Sequence, residues 1–178
     1  MDALKAIETR KSVRGYTGKK VEQEKLEALV KAGTGAPKFG NFHISVITKA
    51  ELLKEIDEKA LANMRAMGGF AKERAEIEGY HALYGAPVLF LISGPASPYS
   101  GVNAACAAAN ITVAATALDL ASCYIGSAAV AFKDNPPLAK KAGIPEGFSP
   151  VCGVLIGYAG EDKFSQAPAF SVGVGYVQ

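Results

Sequence analysis

Cysteine and histidine are scarce in this sequence, and their scarcity argues against several kinds of site. The three cysteines, Cys106, Cys123 and Cys152, are odd in number and lie in apolar surroundings with no C-x-x-C spacing. That pattern reads as reduced, buried thiols rather than a disulfide scaffold. The two histidines, His43 and His81, are well separated, so no metal site is expected. The N-terminus, MDALKAIETRKS, lacks the apolar run of a signal peptide, which points to a cytoplasmic protein. Net charge is only +2, which leaves no general case for a nucleic-acid partner. Between Gly101 and Ser127 there is no Lys, Arg or Glu, and Asp119 is the one charge. Prolines at 87, 95 and 98 interrupt the uncharged stretch before it, and Asn103, Asn110, Thr112 and Thr116 lie inside it, so no membrane span is expected.

What the sequence does have is apolar content. At 49% hydrophobic over 178 residues it can build the core of one domain, spanning 1–178. The uncharged stretch is the organising element. Asn103 to Leu120 reads as an Ala-rich helix with small or apolar residues on every face, hence buried all round. Ser122 to Ile125 then reads as a short strand closed by Gly126.

Around this centre the chain alternates helices and strands. Asp2 can cap a first helix that carries Leu4 and Ile7 on its inner face and ends near Thr9. A second helix runs from about Glu22 to Ala32 on Leu26, Leu29 and Val30, with Gly33 as its stop. Phe42 to Thr48 fits a strand. Glu51 to Met67 fits a helix broken by Gly68-Gly69, and a short charged helix follows within 70–79. Pro87 to Ser93 (PVLFLIS) and Val151 to Tyr158 (VCGVLIGY) are apolar on both faces, as buried central strands are. Asp134 can cap a helix with Pro136 and Pro137 in its first turn and Gly143 at its end. Residues 159–168 read as irregular and Val172 to Val177 as a terminal strand. There is no regular βαβ repeat, so the expected class is α+β.

Three segments carry chemistry. In Arg10-Lys11-Ser12-Val13-Arg14, an extended backbone after the first helix would turn residues 10, 12 and 14 to one side. Two guanidiniums and a hydroxyl then converge on an anion or a polar ring edge. The same residues also fit a solvated basic loop. In Gly33 to Asn41 (GTGAPKFGN) the G-x-G follows a helix and precedes a strand, the wrong context for a dinucleotide fingerprint. It remains a loop with Asn41 as an amide donor and acceptor. Tyr124-Ile125-Gly126 can present backbone amides to a ligand.

In this order and spacing the segments resemble the nitroreductase family of FMN-dependent oxidoreductases. R-K-S-V-R-G-Y-T is similar to that family's opening motif, A-P-K-F-G-N to its A-P-S-x-x-N loop, and S-C-Y-I-G to its S-x-x-G edge. G-I-P-E-G-F-S-P-V-C-G-V-L-I-G-Y is similar to its last core strand and the approach to it. The resemblance implies an α+β three-layer sandwich, a central mixed or antiparallel sheet flanked by helices, in an intertwined homodimer with FMN at the interface. It implies that Arg10, Lys11, Ser12 and Arg14 hold FMN, with Lys11 acting through its backbone. Pro37, Lys38 and Asn41 would come from the partner subunit, and the backbone at Tyr124, Ile125 and Gly126 would face the isoalloxazine. His43 and Tyr80 would shape a pocket for a small-molecule acceptor.

The implied activity is ping-pong hydride transfer from NADH or NADPH, through flavin N5, to a nitroaromatic, quinone or similar acceptor. The flavin carries the chemistry, and no catalytic side chain is named. Flavin fragmentation, reductive dehalogenation, FMN binding without NAD(P)H turnover, and anion binding without flavin are the alternatives. The sequence departs from the family pattern at Lys38, where Ser is usual, and at His43. It also has no basic residue after Lys163.

Overall fold

The computed structural model describes residues 1–165 and 171–178. Four strands, β1 (His43–Ile47), β2 (Val88–Pro95), β3 (Ala121–Ile125) and β4 (Phe148–Gly157), form one sheet in the order β1-β2-β4-β3. Every pairing is antiparallel. Leu89 and Leu91 of β2 face one core cluster, while Val88, Phe90 and Ile92 face the other. This is the two-residue period of a strand buried on both sides. The register slips between Ile92 and Ser93, where Pro150 of β4 stands opposite Ser93. A proline cannot donate to the ladder, and a bulge is where a sheet tolerates one.

Helices cover both faces. On one lie α3 (Ala50–Met67), α4 (Gly69–Ala75), α6 (Ser127–Val130) and α7 (Pro136–Lys141), and on the other α2 (Gln23–Thr34) and α5 (Ser100–Ala117). The short α1 (Ala3–Thr9) packs on α5. The class is α+β in three layers. α3 buries Leu53, Ile56, Ala60 and Met64, a stripe spaced three and four residues apart. It ends at Gly68 and Gly69, both with positive φ, where the chain turns into α4.

Several expectations are corrected. α5 is not buried all round. Val102 is 60% exposed, and Ala105 and Ala109 share that open side. Sheet, α2 and α1 pack on the other sides of α5, and among the described residues Val102, Ala105 and Ala109 stay exposed on this one. Leu4 and Ile7 of α1 point outward at 69% and 57% exposure, and Ala6 is the buried residue. Asp2 stands at the N-cap of α1, but its side chain makes no capping bond. Gly33 does not stop α2 but lies within it. A Cβ there would sit 2.8 Å from Ile111 Cδ1 of α5, so this glycine sets how closely the two helices approach. Asn135, not Asp134, caps α7, its Oδ1 accepting from the Leu138 N–H at 3.3 Å. The four-residue α6 was not foreseen.

No strand occurs among described residues 171–178, so the expected terminal strand is absent. Val172 and Tyr176 are each 90% exposed, without a neighbouring strand to take their backbone groups. The expected irregular stretch 159–168 extends outside the described residues. Cys123 and Cys152 are buried, but Cys106 is only half-buried. Among the described residues no helix is long and apolar enough to cross a membrane.

Candidate functional site

After α1 the chain leaves helical geometry at Arg10 and runs extended. It is stitched to three neighbours. Val13 N–H donates to Ser122 O at 2.9 Å, and Thr17 N–H to Tyr158 O at 2.9 Å. Gly160 N–H donates to Gly15 O at 2.9 Å. The segment thus lies between the outer edge of β3 and the tail that follows β4. Val13 is buried while Ser12 and Arg14 are half-open, as the alternation of an extended chain requires. Arg10, Ser12 and Arg14 all act on Cys123. Burial pushes its thiol up, while the Arg14 and Arg10 charges and the Ser12 hydroxyl pull it down. Lys11 turns the other way, into a hollow shared with Asp119.

The tail forms a strap over this segment. Asp162 Oδ2 accepts from the Arg14 N–H at 2.8 Å and from Ser165 Oγ at 2.6 Å. Asp162 Oδ1 accepts from the N–H groups of Phe164 at 3.1 Å and Ser165 at 2.8 Å. Ser165 Oγ in turn accepts from an Arg14 guanidinium N–H at 3.2 Å. Partial burial works against the Asp162 charge. The hydrogen bonds from the Ser165 hydroxyl and the Arg14, Ser165 and Phe164 N–H groups outweigh it and hold the carboxyl below its usual range.

Arg14 opens onto a hollow of about 370 Å³ floored by Tyr124, Ile125, Gly126 and Ser127. Beyond Ser122, no strand among the described residues pairs with this outer edge of β3. Met64, Met67 and Phe70, at the α3–α4 corner, form an apolar wall with Tyr80. Among the described residues the lining contains two arginines, Arg14 and Arg74, and no carboxylate. An anionic, planar molecule suits such a hollow.

The Tyr80 side of the hollow is rigidly built. Tyr80 meets Tyr84 edge-on at 5.5 Å and Phe164 at 5.7 Å. Burial and the neighbouring Tyr84 hydroxyl push the Tyr80 hydroxyl up to about 12. Two anchors hold the loop. Asp57 of α3, buried, accepts from Leu83 N–H through Oδ1 at 2.8 Å, and its Oδ2 lies 2.8 Å from His81 Nδ1. Ser127 Oγ donates to Ala82 O at 2.8 Å. Immediately after these anchored residues Tyr84 is held at φ +50, a conformation uncommon for a bulky side chain.

The structure therefore brings together Arg14, Tyr80, Tyr124, Ile125 and Gly126 around one hollow, with Ser12 bridged to Ser122 of β3 and Arg10 at the end of α1 on the same segment. It does not bring Pro37, Lys38, Asn41 or His43 to them. Pro37 is exposed, and Lys38, Asn41 and His43 line a separate hollow of about 320 Å³ beside α2. Asn103, 2% exposed, shapes their loop by accepting from Phe39 N–H and donating to Phe39 O, both at 2.8 Å. Sequence reasoning missed Arg74, Tyr84, Asp57 and the Asp162–Ser165 strap. The D-K-F-S turn was readable locally as an Asp accepting from the next amides, but its attachment to Arg14 was not.

Comparison with known proteins follows the same lines. The nitroreductase family model matches residues 7–158, most of the chain. A curated protein of Archaeoglobus fulgidus named "Putative NADH dehydrogenase/NAD(P)H nitroreductase" is 37% identical over 60 residues, which are 32% of this chain and 34% of that protein. The match thus spans about a third of the curated relative's length. Over the whole fold the chain is similar to a nitroreductase with bound FMN from Desulfitobacterium hafniense DCB-2. That likeness has a TM-score of 0.88 and 26% identity, and covers 100% of both chains. A nitroreductase with bound FMN from Bacteroides fragilis NCTC 9343 gives a TM-score of 0.83 and 27% identity, covering 100% of this chain and 98% of that one.

Proposed function

The chain belongs to the nitroreductase family, and on that premise we propose that it is an FMN-dependent oxidoreductase. In this reading it takes reducing equivalents from NADH or NADPH and passes them, in a ping-pong cycle, to a nitroaromatic, quinone or similar small acceptor. One observation carries the reading. The Arg10–Arg14 segment is bonded to the outer edge of β3 at Ser122, and its Arg14 lines a hollow in which the described residues place no carboxylate.

These residues fit FMN. The guanidiniums of Arg10 and Arg14 match the phosphate and the pyrimidine edge, and Ser12 adds a short donor. The backbone of Tyr124 to Gly126 would face the ring system, with the unpaired edge of β3 behind it. Lys11 would contribute through its backbone, as its side chain turns away. FMN, when bound, supplies the redox chemistry by accepting a hydride from the nicotinamide and delivering reducing equivalents to the acceptor. The protein binds, orients and screens. The Arg14 charge favours anionic partners at the ring edge, and the Met64–Phe70 corner limits water around the reacting face.

We place the second half of the cofactor site on a second copy of the chain, in a homodimer. The loop bearing Pro37, Lys38 and Asn41 does not reach its own Arg14 hollow. The open face of α5 and the outward Leu4 and Ile7 of α1 leave an apolar surface for that copy.

The test is an anaerobic absorbance spectrum of the purified protein before and after NADPH, then NADH. Flavin bands that bleach with either donor support the reading. Bands that persist with both donors replace it with FMN binding without nicotinamide turnover. A preparation that stays colourless after added FMN removes the cofactor assignment.

A further inference from the structure

The α4 residue Arg74 stands apart from the groups assigned to FMN. Its guanidinium carbon lies 5.3 Å from the Tyr80 ring centroid, and one N–H donates to Tyr84 Oη at 2.9 Å. A guanidinium has five N–H donors, so most of its capacity is unspent. Among the described residues no carboxylate pairs with it. Glu76, two residues further on at the end of α4, is paired with Lys72 at 3.7 Å. Among the described residues the hollow that Arg74 lines has no acid to neutralise it, and the other cation in that lining, Arg14, is tied to the strap through Ser165.

Arg74 is also held in place. Tyr84 is fixed by the loop whose anchors are Asp57 and Ser127. The guanidinium therefore stands on an aromatic wall rather than moving freely, and little rotamer entropy remains to be lost when an anion binds. Next to it the hollow offers flat apolar surface: Tyr80, Met64, Met67 and Phe70, the last two 60% and 75% exposed. A cation beside an aromatic and thioether wall, with no competing acid, matches a planar ring that carries a negative group.

We propose that Arg74 is a specificity-determining residue and that the preferred acceptors are aromatic compounds bearing a carboxylate or similar anionic group, which the guanidinium binds while the ring lies on the Tyr80 wall. This rests on the oxidoreductase reading for the word acceptor, but the binding preference itself can be read without turnover. The same anion chemistry occurs in the phosphates of the nicotinamide nucleotide, and the experiment separates the two sources.

The experiment is calorimetric titration of the FMN-loaded protein with 4-nitrobenzoate and with its neutral isostere 4-nitrobenzamide, in the natural chain, Arg74→Gln and Tyr84→Phe. The natural chain should bind the carboxylate about tenfold or more tightly than the amide, the range of a charge-assisted hydrogen bond. Arg74→Gln should lose that preference while holding the amide within about twofold. Tyr84→Phe, which keeps the guanidinium but removes its partner, should retain the preference. Equal affinities in the natural chain, or equal losses on both ligands in Arg74→Gln, overturn the proposal. Steady-state turnover with NADPH and NADH is measured beside the titration, and an Arg74→Gln effect confined to KM for the nicotinamide, with both nitrobenzoyl affinities unchanged, also overturns the proposal. Selective binding by a protein that neither nicotinamide reduces would sink the oxidoreductase reading and leave this preference standing.

Discussion

Gly15 and Glu161 meet backbone to backbone: a Cβ placed on Gly15 would lie 1.8 Å from the Glu161 carbonyl oxygen. That approach lets Gly160 N–H reach Gly15 O and lets Asp162 reach the Arg14 N–H. Gly15→Ala must push the strap away, because neither backbone can yield 1 Å without losing these bonds. We expect a loss of about 1–3 kcal/mol in stability, the usual cost of overpacking, together with weaker FMN binding. Urea denaturation and a flavin titration measure the two effects. A variant with unchanged stability would show that the strap is not seated on Gly15.

Asp162 gives the strap a pH dependence. Its hydrogen bonds depress its folded pKa, so its contribution is present above the ordinary aspartate range and is lost as pH falls through the lower folded value. The natural chain should therefore keep strap attachment through the ordinary aspartate range and lose it only as pH falls further, through the lower folded value. Asp162→Asn cannot accept through both oxygens and has no charge to titrate. It should be less stable at neutral pH and should show a flatter acid limb in stability measured from about pH 2.5 to 6. An unaltered acid limb in the variant would assign the acid sensitivity to other carboxylates.

Arg14→Ala separates cofactor binding from folding. The Arg14 N–H that holds Asp162 survives the substitution, and the side chain makes one bond among the described residues, to Ser165 Oγ. Stability should change little, whereas FMN affinity should fall about 10- to 100-fold with the loss of a charge-assisted contact. A flavin titration beside a thermal melt reads both. Unchanged affinity would remove Arg14 from the cofactor site.

These residues also show what the sequence made legible. The helix α3, ended by Gly68-Gly69, and the continuous apolar runs of β2 and β4 were readable locally, and the structure reproduces their bounds to within a few residues. The alternation of Ser12, Val13 and Arg14 followed from extended backbone alone. Gly33 was misread because local rules make such a glycine a helix stop, whereas Ile111, far along the chain, decides its role. The strap was not legible for the same reason. Asp162 is 148 residues from Arg14, and nothing near either one records the pairing. Arg74 lay in a stretch read only as a charged exposed helix, and its meaning depends on Tyr80 and Tyr84 folding beneath it.

The open face of α5 yields the last prediction. Val102 is 60% exposed on this face, while the adjacent Asn103 is 2% exposed and clamps the Phe39 backbone. The α5 surface and the loop bearing Lys38 and Asn41 are therefore mechanically one unit. If a second copy covers that face, we expect the same docking to bring the loop bearing Asn41 to the Arg14 hollow of that copy. Val102→Glu places a charge where the copy would sit, yet costs the isolated fold little because the position is already in solvent. We expect sedimentation to show a dimer for the natural chain and a monomer for Val102→Glu. Circular dichroism should be unchanged and FMN affinity reduced at least about tenfold, since each site loses the contacts of the other copy's loop. A Val102→Glu protein that remains dimeric would place the interface elsewhere. A monomer that keeps full FMN affinity would mean that one chain builds the cofactor site alone, without Pro37, Lys38 or Asn41 of a partner.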